Sequence, residues 1–364
     1  MNVNELHIIY GNKPEKMVKK VLSAIEIEKE LKPGMLIGIK PNLILASPSE
    51  EGATTSPEIV EGVIRYLKEK GFNNIIILES SWVGARTKKA FKVCGYEEIA
   101  ERYDVQLYDL KQDSYREITV KDLNLRVCEK ALEVDYLINM PVLKAHCQTK
   151  LTCALKNLKG CIPDQEKRRF HSLGLHKPIG YLNKVLKSQL IIVDAINGDL
   201  TFEEGGNPVQ MDRIIAGKDP VLVDSYGASL IGYSGEEIEY IKIAASIGVG
   251  TNDLERAKII EYDTDLKNSQ RFKHSRKVER LARKIEARNA CSACYGSLIH
   301  ALKRLEEKGK LAKIDKVYIG QGFRGKSIDG TGIGICTRGF SRSLKGCPPS
   351  AREIVEFILD LVHQ

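Results

Sequence analysis

The chain has 364 residues, 43% of them hydrophobic and 29% charged, with a formal net charge of +8. This is an ordinary globular composition, and the length calls for one large domain plus a smaller one. So modest a charge permits a nucleic-acid partner but falls short of arguing for one, and none is expected; without a membrane-length apolar run or a signal-peptide pattern in MNVNELHIIYGNKPEK a cytoplasmic, membrane-free protein is expected.

Along the chain, short Ile/Val/Leu-rich runs alternate with helical patterns, which predicts an α/β fold with a mostly parallel sheet covered by helices. The predicted strands are Met35–Lys40, Asn74–Glu79, Asp135–Met140, Leu190–Asp194, Arg213–Ala216 and Lys316–Ile319. They lack polar alternation, as strands buried on both faces do. Ser56-Pro57-Glu58 predicts a helix start, with Ser56 as its cap, and Gly71 a left-handed stop. Ile59, Val60, Val63, Ile64 and Leu67 form that helix's apolar face. The charged run Asp164–His171 reads as a mobile loop. The polar stretch Asp263–Arg276 and a basic helix over Lys277–Arg288 mark a boundary. A large α/β domain over 1–265 precedes it, and a smaller cysteine-bearing α/β module over 277–364 follows. The module closes on a helix opened by the capping box Ser350-Ala351-Arg352-Glu353.

Nine cysteines in a reducing cytosol do not make a disulfide framework, and an odd number cannot pair completely. Cys94 and Cys128 read as core residues, and the spacings among Cys147, Cys153 and Cys161 match no metal knuckle. The other four lie in the C-terminal module. Cys291 and Cys294 form a C-x-x-C pair, Cys336 ends a Gly-rich loop, and Cys347 precedes Pro348-Pro349. Two thiolates at that spacing can share one centre, and glycines let backbone N–H groups approach cluster sulfides. Structural zinc more often pairs two compact knuckles. One knuckle plus two separated cysteines points to an oxygen-sensitive [4Fe-4S] cluster, with zinc as the alternative. Gly320-x-Gly322-x-x-Gly325 superficially matches a dinucleotide fingerprint, but no good helix follows it, and it reads as support for the metal loop.

In open α/β sheets, ligands bind beyond the carboxyl ends of the strands. Lys40 and Asn42, Glu79, Lys144 and His146, and Asp194 all stand at or just past such ends. Thr54 and Thr55 precede a helix N-terminus, a ready anion site, and Lys156 and Asn157 lie in a lysine-rich segment. A small anionic substrate is expected, bound by Lys40, Asn42, Thr54, Thr55, Lys144, Lys156, Asn157 and Asp194. Glu79 and His146 are the candidates for acid–base work. Strand-end polar groups of this kind also serve as helix caps and loop anchors.

Several motifs, in this order, resemble one family. They are Lys40-Pro41-Asn42-Leu43, Ala53-Thr54-Thr55-Ser56-Pro57, Glu79-Ser80-Ser81, Met140-Pro141-Val142-Leu143-Lys144-Ala145-His146 and Ala154-Leu155-Lys156-Asn157-Leu158-Lys159-Gly160. Asp194 and Asp219-Pro220-Val221-Leu222-Val223-Asp224 extend the match, which spans roughly 5–255. The family is domain of unknown function 362, whose members are frequently described as iron–sulfur proteins. Many relatives carry a ferredoxin-like insert with two cysteine-rich motifs; this chain has the Cys291–Cys347 module instead. Ala145 stands where the family has a threonine.

The leading expectation is an anaerobic iron–sulfur redox protein, either an oxidoreductase on a small anion or an electron carrier with a ferredoxin-like redox partner. Two alternatives stand beside it: a zinc-stabilised, non-catalytic binding or assembly protein, and a racemase- or isomerase-type enzyme on a hydroxy acid using the large domain alone.

Overall fold

The apolar runs become the centre of an eight-stranded sheet. In this computed structural model, which describes residues 1–267 and 277–363, the chain divides into two units. One comprises Met1–Lys167 and His176–His274, the other Arg168–Leu175 and Ser275–Gln364.

In the first unit the strands are β1 (Glu5–Tyr10), β2 (Ile37–Pro41), β3 (Ile75–Glu79), β4 (Gln106–Asp109), β5 (Tyr115–Val120) and β6 (Leu123–Cys128). Then follow β7 (Tyr136–Met140), β8 (Lys144–His146), β9 (Lys150–Thr152), β10 (Leu190–Asp199), β11 (Pro208–Gly217) and β12 (Lys258–Tyr262). The main sheet has the order β12-β1-β11-β10-β7-β2-β3-β4, with β5–β6 and β8–β9 as separate pairs. Its neighbours are parallel except β1–β11 and β11–β10. The fold is therefore α/β with a mostly parallel sheet, as the buried apolar runs predict.

Ile37, Ile39, Ile138, Ile192 and Ile214 share one core with the apolar stripes of helices Pro14–Ile25 and Pro57–Glu69. By the two-residue period of a strand, their buried neighbours Leu137, Val193 and Ile215 face the opposite side. Helices Ala154–Asn157 and Pro220–Leu230 pack against β7 and β11 respectively. Each fully buried Ile or Leu stabilises the sheet by roughly 1.5–3 kcal/mol, which favours the continuous apolar strands at the centre.

Three local readings differ. Helix Pro57–Glu69 begins and ends as expected, with Gly71 left-handed. The Ser56 hydroxyl, however, bonds the Glu58 carboxylate and makes no cap, while its backbone N–H donates to Asp194. The run Asp164–His171 is not a loop but lies in a helix over Asp164–Ser172, in which Glu166, Lys167 and Phe170 are buried. The basic helix is short, Lys277–Ala282, and gives way to a strand over Ile285–Ala287. Most of the polar boundary, residues 268–276, lies outside the described residues.

The second unit is built on a four-stranded parallel sheet of β13 (Ile285–Ala287), β14 (Val317–Ile319), β15 (Thr331–Ile333) and β16 (Arg342–Leu344), in that order. Helices Ser292–Glu307 and Ala351–His363 pack on each other. The second opens on the expected capping box: Ser350 N donates to Glu353 Oε2 at 2.7 Å and Glu353 N to Ser350 Oγ at 3.3 Å. Among the described residues, no helix is long and apolar enough to cross a membrane.

Candidate functional site

The strand-end residues of the first unit form a Lys40–Glu79 pair and a second group around Lys144 and His146, while Asp194 lines an open cavity. Lys40 is the penultimate residue of β2 and Glu79 the last of the neighbouring parallel strand β3, so their side chains meet at the carboxyl edge. Lys40 Nζ donates to Glu79 Oε2 at 2.8 Å and to the Pro41 carbonyl at 2.6 Å. Glu79 also accepts from the backbone N–H of Leu43 at 2.8 Å and of Ser80 at 2.7 Å. Both side chains are buried. Gly160 passes directly over them: a Cβ there would lie 2.1 Å from Glu79 Oε1 and 2.6 Å from Lys40 Cε. A side chain at 160 would have to push this buried pair aside, because a real Cβ does not approach a heavy atom that closely.

A second buried group lies on the β8–β9 hairpin and the helix after it. Lys144 Nζ donates to the carbonyls of Ala53 at 2.6 Å and Glu203 at 3.1 Å, with Asn42 Oδ1 at 3.4 Å. His146 Nδ1 accepts from the backbone N–H groups of Gln148 at 2.9 Å and Thr149 at 3.0 Å. That leaves the ring proton on Nε2, which stands 2.8 Å from Glu203 Oε2. Lys156 donates to the other Glu203 oxygen and to Thr152 Oγ1 at 3.2 Å.

Burial governs the charges here. It pulls Lys144 from 10.5 down to about 7 and His146 from 6.5 down to about 4, so the imidazole is neutral. Glu203 is held well below the usual carboxylate range against the opposing effect of burial. With His146 neutral, we assign that hold to Lys156, whose ammonium bonds it directly.

The remaining candidates are committed to the main chain. Thr54 Oγ1 donates to Ser47 O at 2.8 Å, and Thr55 Oγ1 to Met140 O at 2.8 Å while accepting from Asn42 N. Asn157 Nδ2 donates to Lys40 O at 3.2 Å and Asn139 Oδ1 at 2.8 Å, tying β2 to β7. Asp194 accepts from the backbone N–H of Ser56 at 2.8 Å and of Ile196 at 3.1 Å. It is pushed up to about 6 by burial, and it lines an open cavity of about 350 Å³ with Asn12, Asn197 and Gln210. Two other motif aspartates are structural: Asp219 caps helix Pro220–Leu230, and Asp224 accepts from Ala154 N at 2.7 Å, holding the start of helix Ala154–Asn157.

Sequence reasoning missed Glu203 and Lys167. Glu203 lies on the β10–β11 connection, where Glu-Glu-Gly-Gly was the available signal. Asp199 organises that connection, accepting from the N–H groups of Thr201, Phe202 and Asn207. Lys167 donates to the carbonyls of Ser80 at 2.8 Å and Ser81 at 2.7 Å, and burial lowers it to about 8.

In the second unit the four cysteines gather at the carboxyl end of the small sheet. Cys291 immediately precedes helix Ser292–Glu307 and Cys294 sits in its first turn. Cys336 lies in a short turn after β15 and Cys347 follows β16. Cys294 is pushed up to about 12, first by burial and then by the charges of Cys291, Cys336 and Cys347, so all four thiols lie within electrostatic reach. A Cβ on Gly334 would stand 3.3 Å from Cys294 Sγ, where the backbone takes a left-handed φ of 89°. Glycine thus leaves room beside the Cys294 thiol. Among the described residues, no group of three or more His, Cys, Asp or Glu side chains is placed so that it could hold a metal ion. Cys94, Cys128, Cys153 and Cys161 are buried thiols of the first unit.

Two solved structures share a loose likeness. The lactate racemase apoprotein from Thermoanaerobacterium thermosaccharolyticum is 14% identical, with 66% of this chain and 57% of that one covered at a TM-score of 0.39. A protein from Thermotoga maritima is 13% identical, with 65% and 60% covered at a TM-score of 0.39. A thylakoid-associated protein of Synechocystis sp. is 28% identical over 141 residues, 39% of this chain and 43% of its own length. The chain thus spans less than half of that relative. Residues 37–229, which carry the Lys40–Glu79 pair and the Lys144–Glu203 group, match the family model described as domain of unknown function (DUF362), and the chain belongs to that family.

Proposed function

We propose that the protein is an iron–sulfur redox protein whose C-terminal unit holds a [4Fe-4S] cluster on Cys291, Cys294, Cys336 and Cys347. The observation that carries this reading is the gathering of four thiols from three strand ends around Cys294, beside a glycine that a side chain would crowd. Zinc needs all four sulfurs at about 2.3 Å from one point, whereas a cluster spreads its ligands over a wider body. A single C-x-x-C knuckle with two separated cysteines suits the second better. A cluster there would take up and give back one electron at a time.

The first unit supplies proton chemistry. Lys144, near 7, is poised to gain or lose a proton at neutral pH, and Lys156 bonds the Glu203 carboxylate beside it. A small anion arriving there favours the charged form of Lys144, so proton uptake accompanies binding. Both lysines are buried beneath the Glu203 segment, which has to move to admit it.

Iron, sulfide and zinc analysis of protein purified without oxygen tests the reading. About four irons and four sulfides per chain are expected for a [4Fe-4S] centre. Zinc at about one per chain with no visible absorption would select a metal-stabilised assembly protein instead. The near-neutral Lys144 favours one other reading, a racemase- or isomerase-type enzyme on a hydroxy acid that uses the first unit alone. Turnover that survives replacement of Cys336 and Cys347 by Ser would select it.

A further inference from the structure

Three of the four strands in the second unit end in cysteine ligands: β13 leads to Cys291 and Cys294, β15 to Cys336 and β16 to Cys347. The fourth, β14, carries none. It ends at Ile319, and the turn that begins at Gly320 carries Gln321 and Arg324 to the same edge. Arg324 Nε donates to Cys336 Sγ at 3.4 Å. Gln321 Nε2 reaches Cys291 Sγ only at 3.7 Å, and shares its hydrogens with the carbonyls of Arg168 at 3.0 Å and Asn289 at 3.4 Å. Arg324 is thus the dedicated donor.

The turn that presents it is rigid. Phe323, next in the chain, is buried and meets Tyr318 and Phe340 edge-on. Gly320, at a φ of 115°, brings the backbone so close to Arg288 that a Cβ would lie 2.1 Å from its carbonyl oxygen.

We propose that Arg324 sets the reduction potential of the four-cysteine centre through its N–H···S bond to Cys336, an inference that rests on the iron–sulfur reading above. Reduction adds one electron, whose charge spreads onto the cysteine sulfurs. A donor aimed at one of those sulfurs stabilises the reduced, more negative state more than the oxidised one and shifts the potential upward. No bond breaks, and no proton moves, because guanidinium does not deprotonate in proteins. The electron comes from an external reductant. Arg338, exposed and two residues beyond Cys336, carries the same charge and serves as the control for charge alone.

The test uses the whole chain, purified without oxygen, with iron and sulfide counted before a spectroelectrochemical titration. Arg324→Gln should keep the wild-type iron and sulfide content and lose roughly tenfold in its equilibrium with a one-electron reductant, a shift of about 59 mV to more negative potential. Arg324→Lys, which keeps the charge but not the planar fork, should fall between. Arg338→Gln should move the potential much less. If Arg324→Gln fails to load, Arg324→Lys carries the comparison. A fully loaded Arg324 variant at the wild-type potential overturns the inference, as does an equal shift from Arg338→Gln. Wild-type protein without iron or sulfide overturns the iron–sulfur reading itself, which no result on a loaded variant does.

Discussion

Replacing Lys144 by Met removes a buried amine while keeping a linear side chain of similar length. The amine titrates at about 7 when folded against 10.5 in the unfolded chain. Between those values the unfolded state binds one proton more, so stability rises with pH across the window. The cost of burying Lys144 is fully present below pH 7 and gone above about 10.5. At 1.36 kcal/mol per pH unit, the interval from about 7 to 10.5 corresponds to roughly 5 kcal/mol. The variant leaves the carbonyls of Ala53 and Glu203 without this donor, at about 1–3 kcal/mol each. At pH 7 the two effects therefore offset within a few kcal/mol. The pH slope is the clean signal: wild type should gain on Lys144→Met by about 2 kcal/mol between pH 7.5 and 9. The chain has a single tryptophan, Trp82, which lies in the first unit, so its fluorescence during urea unfolding follows that unit. Parallel stability curves for the two proteins would refute the assignment of a depressed, buried Lys144.

The other predictions concern the same unit. Gly160→Ala drives a methyl into the buried Lys40–Glu79 pair and should cost about 3 kcal/mol or more, read as a lower urea midpoint; a change under about 1 kcal/mol would mean the pair can shift aside. Glu203→Gln strands the Lys156 ammonium and should cost about 3–5 kcal/mol. Adding Lys156→Met should restore part of that loss, and strict additivity of the two changes would argue that they do not interact.

How much of this was legible follows from the physics of each segment. The central strands and helix Pro57–Glu69 were readable because burial on both faces, or on one helical stripe, forces an apolar pattern into the sequence. Strand β12 hides because most of it is exposed or half-exposed, and the β5–β6 hairpin turns at Lys121, a non-glycine with positive φ. Helix Asp164–Ser172 was hidden by its charges. Lys167 is buried there only because the Ser80 and Ser81 carbonyls satisfy it, which no local pattern reports. Strand-end reasoning brought Lys40, Glu79, Lys144 and His146 to one edge. It did not foresee that carboxylates and carbonyls of the chain itself would occupy the lysines, since the main partner, Glu203, lies 47 residues beyond Lys156 on an irregular connection. In the second unit strand β14 was legible as a short apolar run. Arg324 was not, because its role depends on β14 lying beside β15 in the sheet.

The most direct measurement of the central claim is electron paramagnetic resonance of the whole chain, prepared without oxygen, before and after reduction by dithionite. The account predicts a silent oxidised protein, a paramagnetic signal on one-electron reduction, and loss of that signal in Cys294→Ser, which removes one of the four thiols. A protein that stays silent in both states and contains zinc in place of iron would contradict it.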